Sequence, residues 1–276
     1  MRARSFSIWA IPIAAIASIG SWSLWQPPAR RTAPAAAQET AAEKTSARLT
    51  KFKVIRVFPH DRNAFTQGLL WHDGTLFEST GIEGRSEVRR VDLATGRVLQ
   101  KQKLPADVFG EGLVLSRNRL IQITLQSQRA FVFDSKTFKS KGEWKYKGEG
   151  WGLTTDGEEL IMSDGSSQLL FRDPKTFAEK RRVAVTFNGK PLAMLNELEW
   201  IDGQVWANVW QTDYIVRINP QSGAVEEYLD CTGLLGETFR TGKEDVLNGI
   251  AYDSQAKRIF LTGKLWPRLF QIQLQD

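Results

Sequence analysis

The chain has 276 residues, of which 37 are basic, 31 are acidic, one is cysteine and two are histidines. Four of the basic residues lie before residue 38, where no acidic residue occurs, so 33 basic and 31 acidic residues remain and their net charge is only +2. This near balance gives no electrostatic case for nucleic-acid binding. A single cysteine excludes an intrachain disulfide, and so few Cys and His side chains argue against an ordinary zinc site or a Ser-His-Asp triad.

The first 25 residues have the layout of a targeting segment. Arg2 and Arg4 precede an apolar stretch over 6–25, which is just long enough to span a bilayer although Pro12 interrupts it. A cleaved signal peptide and a retained membrane anchor both fit, and both place the protein outside the cytoplasm, periplasmic or secreted. Residues 26–50 are rich in Pro, Ala, Thr and Glu and predict a flexible linker, which leaves 51–276 as one domain.

This domain contains five copies of one repeating unit. Each copy has a short apolar run, a turn that is Asp-Gly in three copies, and a second strand, a pattern typical of β-hairpins. The second strands align at 76–81, 120–125, 160–165, 205–210 and 259–264. A third strand follows in every copy and a fourth in four copies, with a spacing of about 40–50 residues that is typical of propeller blades.

The fifth copy lacks its fourth strand because the sequence ends at Asp276. An unassigned strand at 52–58 is available at the other end, and its pairing with the last copy would close a ring and remove two open edges. We therefore predict an all-β fold, a five-bladed β-propeller in which an N-terminal strand completes the last blade. The alternative, an ordinary β-sandwich with coincidental spacing, is disfavoured by five aligned copies.

The repeats also predict where unlike side chains converge. The innermost strand of each propeller blade lines the central channel, so residues at its start meet at one end, which we call the mouth. Two rings of residues fall there: Gln67, Glu111, Trp151, Asn196 and Asn248 before the first strands, and Gly81, Leu125, Gly165, Trp210 and Lys264 at the ends of the second strands. Taken singly, the amides could satisfy backbone groups where strands start, and the tryptophans could pack in the core between blades. Lys264 could be a solvated charge at the rim.

Glu111 is the residue of these rings that we most expect to be functional. It stands between two glycines, which we expect to let the backbone bend sharply, and ahead of a buried apolar run. Burying a carboxylate in that position costs free energy unless the group is paired with a cation or takes part in the function. Five further acids near strand starts could neutralise Lys264, hold a cation or brace loops: Glu78, Glu149, Glu197, Glu199 and Asp164.

Nine strings of this sequence resemble the plant and bacterial glutaminyl-peptide cyclotransferase family, and together they cover almost everything from residue 52 onward. They are Phe-Thr-Gln-Gly-Leu at 65–69, Leu-Phe-Glu-Ser-Thr-Gly at 76–81, Phe-Gly-Glu-Gly-Leu at 109–113, Gly-Glu-Gly-Trp-Gly-Leu at 148–153, Met-Ser-Asp-Gly-Ser at 162–166, Leu-Asn-Glu-Leu-Glu at 195–199, Trp-Ala-Asn-Val-Trp at 206–210, Leu-Asn-Gly-Ile-Ala at 247–251 and Thr-Gly-Lys-Leu-Trp at 262–266. So many strings in one order make the resemblance specific.

The resemblance implies an enzyme that converts N-terminal glutaminyl residues of peptides to pyroglutamyl residues and releases ammonia. It implies that Glu111 is the essential acid/base and that the substrate pocket is formed by Phe65, Gln67, Phe109, Trp151, Asn196, Trp210 and Lys264. Where the family has a tryptophan closing a Leu-Thr-Trp string, this chain has Leu125, so we expect one weakened aromatic wall. A calcium ion in the channel is also implied, although its ligands do not match residue by residue.

The expected chemistry requires no metal or cofactor, since one carboxylate can accept and return the proton that the reaction moves. We expect a monomer whose partners are peptides or proteins with N-terminal glutamine, and whose membrane contact is limited to the N-terminal segment. Two rivals remain open: a non-catalytic extracytoplasmic peptide-binding propeller, and a calcium-dependent lactonase or esterase propeller, which would need several channel carboxylates.

Overall fold

The computed structural model describes residues 46–275 and has the predicted all-β architecture, a five-bladed β-propeller. Strands β1 (Arg48–Leu49) and β2 (Phe52–Pro59) precede blade 1, which is β3 (Thr66–His72), β4 (Thr75–Thr80), β5 (Glu87–Val91) and β6 (Val98–Lys103). Blade 2 is β7 (Gly110–Ser116), β8 (Arg119–Thr124), β9 (Arg129–Asp134) and β10 (Ser140–Lys145). Blade 3 is β11 (Leu153–Thr155), β12 (Leu160–Met162), β13 (Gln168–Arg172) and β14 (Glu179–Ala184).

A short hairpin of β15 (Thr186–Phe187) and β16 (Lys190–Pro191) separates blades 3 and 4. Blade 4 is β17 (Leu195–Ile201), β18 (Gln204–Val209), β19 (Tyr214–Ile218) and β20 (Val225–Asp230). A 3-10 turn, Glu237–Phe239, leads to blade 5, which is β21 (Leu247–Asp253), β22 (Arg258–Gly263) and β23 (Arg268–Leu274). The five innermost strands β3, β7, β11, β17 and β21 pack side by side in a ring around the channel.

The closing strand is confirmed. β2 pairs antiparallel with β23, from Phe52 opposite Leu274 to Pro59 opposite Arg268, and so supplies the fourth strand of blade 5. This pairing covers the edge that β23 would otherwise leave open.

The edge of blade 4 is covered by β1, which pairs parallel with β20 and places Arg48 opposite Glu227. Residues 46–50 belong to the segment that we predicted as a linker, so propeller contacts begin before the predicted boundary at 51. The reason is a set of local bonds that composition does not reveal: the Arg48 guanidinium and the Thr50 hydroxyl both donate to the Glu227 carboxylate.

Our predictions of a targeting segment at 1–25 and of most of the linker fall outside the described residues. Within 46–275, no helix is long and apolar enough to cross a membrane.

The hydrophobic core consists of five clusters, one at each seam between neighbouring blades. Large side chains fill these seams, among them Trp206 between blades 4 and 5 and Phe177 between blades 2 and 3. Cys231 is buried in the same seam as Trp206, and burial raises the pKa of its thiol, as expected for a small core residue rather than a nucleophile. The core therefore holds the blades to one another and leaves the channel ends to polar residues.

The seam between blades 5 and 1 carries a buried charge network in addition to its apolar cluster. His60, which directly follows β2, contacts the Glu78 carboxylate through Nε2 at 3.0 Å, and its Nδ1 lies 2.7 Å from the Trp266 carbonyl oxygen. Burial alone would lower the pKa of His60, but the Glu78 carboxylate and the Trp266 carbonyl outweigh burial and raise it. Burial would raise the pKa of Glu78, but His60 and Arg89 lower it. Both shifts favour the charged forms of the two partners, and the pair ties the closing strand to blade 1.

We predict that His60→Gln destabilises the protein by about 3 kcal/mol at pH 6, because it leaves a buried carboxylate without its nearest cation. Since the folded-state pKa of His60 is raised, the stabilisation from its proton is complete below the unfolded-state value and is lost as pH rises through the folded-state value. The difference in melting temperature between wild type and variant should therefore shrink above pH 6.5.

His72→Gln is the matched control, since His72 is the other histidine of the chain and its side chain is exposed. Its melting temperature should equal that of the wild type at every pH. A His60→Gln deficit that stays constant from pH 6 to pH 9 would contradict a charged His60–Glu78 pair.

Candidate active site

The mouth residues are positioned by irregularities at the start of the innermost strands. In four blades the pairing of the first two strands shifts register there: between Thr66 and Gly68, Gly110 and Leu113, Leu195 and Leu198, and Leu247 and Ile250. Each shift contains one residue of the predicted first ring, namely Gln67, Glu111, Asn196 and Asn248. Bulges of this kind re-aim a side chain out of the regular alternation, which explains how polar residues reach the channel end from strands that are otherwise buried.

A cavity of about 280 Å³ opens at this mouth. The structure brings together around it all nine residues that the sequence predicted for the site, and two others: Phe65, Gln67, Phe109, Glu111, Leu125, Asn196, Trp151, Trp210 and Lys264, joined by Glu149 and Asp245. Every blade contributes at least one of them. The deep residues Gln67, Glu111, Asn196 and Lys264 are at most 5% exposed, whereas the aromatic residues are half-buried. The cavity thus has a polar floor and apolar walls.

The walls are two aromatic pairs. Phe65 and Phe109 meet edge to face with ring centroids 6.0 Å apart, and Trp151 and Trp210 do the same at 5.4 Å. Two glycines of the predicted second ring make room for them. A Cβ on Gly81 would lie 2.3 Å from the Phe109 ring, and one on Gly165, which has φ +80, would lie 2.6 Å from the Trp151 ring. Neither tryptophan is a core residue, so that alternative is wrong for both.

The two glycines beside Glu111 do not produce the sharp backbone bend that we predicted, since neither has a positive φ. They are needed for close packing instead. A Cβ on Gly112 would lie 2.5 Å from the backbone nitrogen of Leu153, and one on Gly110 would lie 2.5 Å from Gln122 Nε2. The Gly112 N–H also donates to the Trp151 carbonyl at 2.7 Å. Gly112 therefore allows blade 3 to approach, which holds Glu111 beside Trp151, and Gly110 leaves room for the Gln122 side chain of its own blade.

Glu111 is 4% exposed and forms no ion pair with any residue in 46–275. Gln67 Nε2 donates to its Oε1 at 3.0 Å, and Asn248 Nδ2 donates to Gln67 Oε1 at 3.3 Å and so orients the Gln67 amide. Burial raises the pKa of Glu111 well above its ordinary value; Lys264 opposes this shift and Glu149 adds to it. A raised pKa makes the carboxylate a stronger base, which suits it to accept a proton and return it.

Lys264 supplies the only cation among the described residues that line the cavity. It is 5% exposed, its Nζ lies 5.0 Å from the centroid of the Phe65 ring, and it forms no ion pair within the described chain. Burial lowers the pKa of Lys264 below its ordinary value, and the nearby Glu111 and Asp245 only partly oppose this shift. Lys264 is therefore not a solvated rim charge, and its ammonium is available to an oxygen in the cavity.

The amides of the first ring have different surroundings. Asn248 donates to the Thr66 carbonyl at 3.0 Å and to Gln67. It therefore satisfies a backbone group at the start of a strand, which is the structural role that we considered for the amides. Asn196 lines the cavity, and its buried Oδ1 has no hydrogen-bond partner among residues 46–275. A buried acceptor without a partner costs stability unless a ligand satisfies it. Asn196 is therefore suited to receive an N–H donor that enters the cavity.

Most of the other acids that we considered brace the fold. Glu197 Oε1 accepts the Leu69 N–H and its Oε2 accepts the Ile250 N–H, so it joins three blades across the channel, and Glu199 accepts the Tyr252 N–H. Asp164 bonds within its own turn to Ser166. Glu149 is the exception, since it lies in the cavity wall and accepts the Trp151 indole N–H at 3.0 Å.

The described residues do not fit a carboxylate site for the predicted calcium. Within 46–275 no group of three or more His, Cys, Asp and Glu side chains could hold a metal ion, and Glu197, which faces the channel, already uses both oxygens on backbone N–H groups. Calcium prefers six to eight oxygen ligands, so the ion stays a prediction without a ligand set.

Comparison with known proteins identifies the family. The family model for glutamine cyclotransferase matches residues 29–274. The chain belongs to the glutamine cyclotransferase family. A glutaminyl-peptide cyclotransferase of Arabidopsis thaliana is 45% identical over 235 residues, which cover 84% of this chain and 73% of that protein. The crystal structure of Myxococcus xanthus glutaminyl cyclase superimposes with a TM-score of 0.79 at 37% identity, over 83% of this chain and 99% of that one.

Within this glutamine cyclotransferase fold, sequence reasoning missed the place of two acids in the cavity. Glu149 stands two residues before Trp151, as Phe65 does before Gln67 and Phe109 before Glu111, so the repeat itself contained the signal. Asp245 comes three residues before Asn248 and no pattern marks it. Leu125, expected to weaken an aromatic wall, lines the cavity and is half-buried; its N–H donates to the Phe109 carbonyl at 3.0 Å and its carbonyl accepts the Gly150 N–H at 3.1 Å.

We predict that Glu111→Gln makes this glutamine cyclotransferase more stable at pH 8, by on the order of 1 kcal/mol or about 3 °C in melting temperature. The folded-state pKa of Glu111 is raised, so its contribution to stability is complete below the unfolded-state value and is lost as pH rises through the folded-state value. The neutral amide avoids that loss and can still accept the Gln67 hydrogen bond. Thermal melts from pH 4 to pH 9 check this, with the gain vanishing near pH 4.

Glu158→Gln is the control, because Glu158 is exposed in the hairpin of blade 3. Its melting temperature should follow that of the wild type at every pH. A Glu111→Gln variant that melts below the wild type at pH 8 would contradict the claim that burial of the Glu111 carboxylate destabilises the folded protein.

Proposed function

We propose that this protein is a glutaminyl-peptide cyclotransferase, which converts the N-terminal glutaminyl residue of a peptide to a pyroglutamyl residue and releases ammonia. The observation that carries the proposal is Glu111, a buried carboxyl group with a raised pKa on the floor of a cavity of about 280 Å³. Membership of the glutamine cyclotransferase family and the names of its relatives support the same activity.

The reaction joins the substrate's own α-amine to its side-chain amide carbon. The neutral amine attacks the carbonyl carbon, a C–N bond forms, and the amine proton passes to the Glu111 carboxylate. The resulting carboxylic acid then protonates the amide nitrogen, the old C–N bond breaks and ammonia leaves, which restores the carboxylate. Atoms and charge balance with one group acting first as base and then as acid.

The other cavity residues have roles that match their surroundings. The Lys264 ammonium is the donor for the oxygen that becomes negative when the amine attacks, since it has no competing ion pair within the described chain. The Asn196 Oδ1 is an acceptor for an N–H of the substrate. Gln67 holds the Glu111 carboxylate in place. The aromatic pairs exclude water and fold the glutaminyl side chain toward its amine, which contributes through proximity.

The two rival functions are weaker on specific grounds. A peptide-binding propeller that holds an N-terminal ammonium needs Glu111 as a charged carboxylate, whereas burial raises the pKa of Glu111 and disfavours that form. A calcium-dependent lactonase needs a cluster of channel carboxylates, and residues 46–275 do not supply one.

We further propose that the protein acts as a monomer outside the cytoplasm, in the periplasm or as a secreted or anchored protein, on peptides that carry N-terminal glutamine. The support for the location is the sequence pattern of Arg2, Arg4 and the apolar stretch 6–25. The support for a monomer is that one chain supplies every residue found around the cavity.

Glu111→Gln should lower kcat/KM for a glutaminyl dipeptide amide by roughly 10²–10⁴-fold, because the amide can neither accept nor return the proton. Ammonia release and the corresponding loss of mass measure this directly. Glu158→Gln should turn over like the wild type. Near-wild-type turnover by a folded Glu111→Gln protein would remove Glu111 from the mechanism, and a wild type that releases no ammonia would remove the proposed function.

Glu149→Gln should shift the acidic limb of the kcat/KM profile to lower pH. Glu149 helps to raise the pKa of Glu111, so its neutralisation lowers that pKa and leaves the base deprotonated at more acidic pH. The variant keeps an acceptor for the Trp151 indole N–H. The same peptide is used for wild type, Glu149→Gln and Glu158→Gln, so its own amine titrates identically in each. A limb that does not move, or that moves to higher pH, would contradict the coupling.

A further inference from the structure

An apolar groove lies beside the cavity on the mouth side of blade 4. It has a volume of about 360 Å³ and is lined by Phe187, Leu192, Val209, Tyr214, Val216 and Tyr228, together with Thr212. No charged side chain is among these lining residues, and the Thr212 hydroxyl is already used, since it donates to the Val209 carbonyl at 2.7 Å. Val209 and Val216 are buried in the seam between blades 3 and 4, so the apolar and aromatic surface that the groove offers comes mainly from Phe187, Leu192, Tyr214 and Tyr228.

The register of blade 4 shows that this groove follows one face of the blade outward. Val216 is opposite Ala207 on β18 and opposite Tyr228 on β20, and residues two apart on a strand share a face. Val209, Val216 and Tyr228 are thus on one face, on three successive strands. The β15–β16 hairpin adds Phe187 to the lining, and the Phe187 ring meets the Tyr228 ring edge to face with centroids 5.4 Å apart.

The groove and the cavity adjoin at one point of the chain. Val209, which lines the groove on β18, directly precedes Trp210, which forms a wall of the cavity. From β18 to β20 is two strand spacings, about 10 Å, which is the length of about three extended residues. A peptide with its first residue in the cavity could therefore lay its next two or three residues along the groove.

Exposed apolar residues mark the same place. Of the eight large hydrophobic residues that are exposed in the described chain, six lie on the outer strands β1, β2 and β6. The other two are Met194, whose carbonyl accepts the Trp210 N–H at 2.8 Å, and Tyr214, which lines the groove. Met194 also stands two residues before Asn196, the repeat position at which Phe65 and Phe109 wall the cavity.

We propose that this groove is the subsite for the residues that follow the N-terminal glutamine of the substrate, and that it selects peptides with apolar or aromatic side chains at the second and third positions. The inference rests on the proposed cyclotransferase function. The groove contributes affinity for the peptide but does not touch the reacting atoms, so it acts mainly on KM.

The test compares two tripeptide amides, Gln-Phe-Leu and Gln-Ser-Ser, which share the reacting residue and the charge. The wild type should give a kcat/KM at least about tenfold higher for Gln-Phe-Leu, since burial of one large apolar side chain contributes roughly that factor or more. The gain should appear in KM. Tyr214→Ser and Phe187→Ser should each bring the ratio of the two kcat/KM values close to one.

Leu99→Ser is the matched control, because Leu99 is 53% exposed on β6, away from the groove. It should keep the full preference. Equal kcat/KM values in the wild type, or a preference that survives both groove variants, would overturn the subsite while ammonia release from Gln-Ser-Ser leaves the proposed function standing. No ammonia from either peptide would remove both. If the wild type is a dimer, and Tyr214→Ser dissociates it without changing the substrate preference, the groove is a contact between two copies. That result would overturn the subsite.

Discussion

The burial of the Glu111 carboxyl group without an ion pair in the described chain is the constraint on which the site depends. In water such a group would be charged at neutral pH, and burial opposes that charge. The protein does not neutralise it with an adjacent cation. Burial raises the pKa of Glu111 well above its ordinary value, Lys264 in the same cavity opposes this shift and Glu149 adds to it, while Gln67 gives the carboxylate one hydrogen bond. Burial of the carboxyl group costs stability, but the pKa that it raises also suits the group to exchange a proton.

The closed ring of blades is what makes this arrangement possible. Blade 1 supplies Gln67, blade 2 Glu111, blade 3 Trp151, blade 4 Asn196 and blade 5 Lys264, so no pair of neighbouring blades contains the site. The seam that closes the ring is also bonded to the site. Within it the Thr66 hydroxyl donates to Glu78 at 2.7 Å and the Thr66 carbonyl accepts from Asn248. Because Thr66 precedes Gln67, loosening of the closing strand would reach the residue that holds Glu111.

The repeat made much of this predictable from the sequence. Equivalent positions in a propeller converge, so the alignment of five second strands was enough to predict the blade number, the closing strand and a mouth that contains Glu111, Trp210 and Lys264. The resemblance to a family added Phe65 and Phe109. What the alignment could not give is contact between elements far apart in sequence: the approach of the Leu153 backbone to Gly112, the covering of the blade 4 edge by Arg48 and Leu49, and the groove that the β15–β16 hairpin forms with blade 4. These depend on three-dimensional packing that no local pattern encodes.

The central claim is that the Glu111 carboxyl group titrates far from its ordinary range, and a direct titration tests it. In protein labelled with carbon-13 at the glutamate side-chain carboxyl, the resonance absent from Glu111→Gln assigns Glu111, and its shift is followed from pH 3 to pH 9. The account predicts a midpoint well above the ordinary glutamate value of about 4.3. A midpoint at or below that value would contradict it.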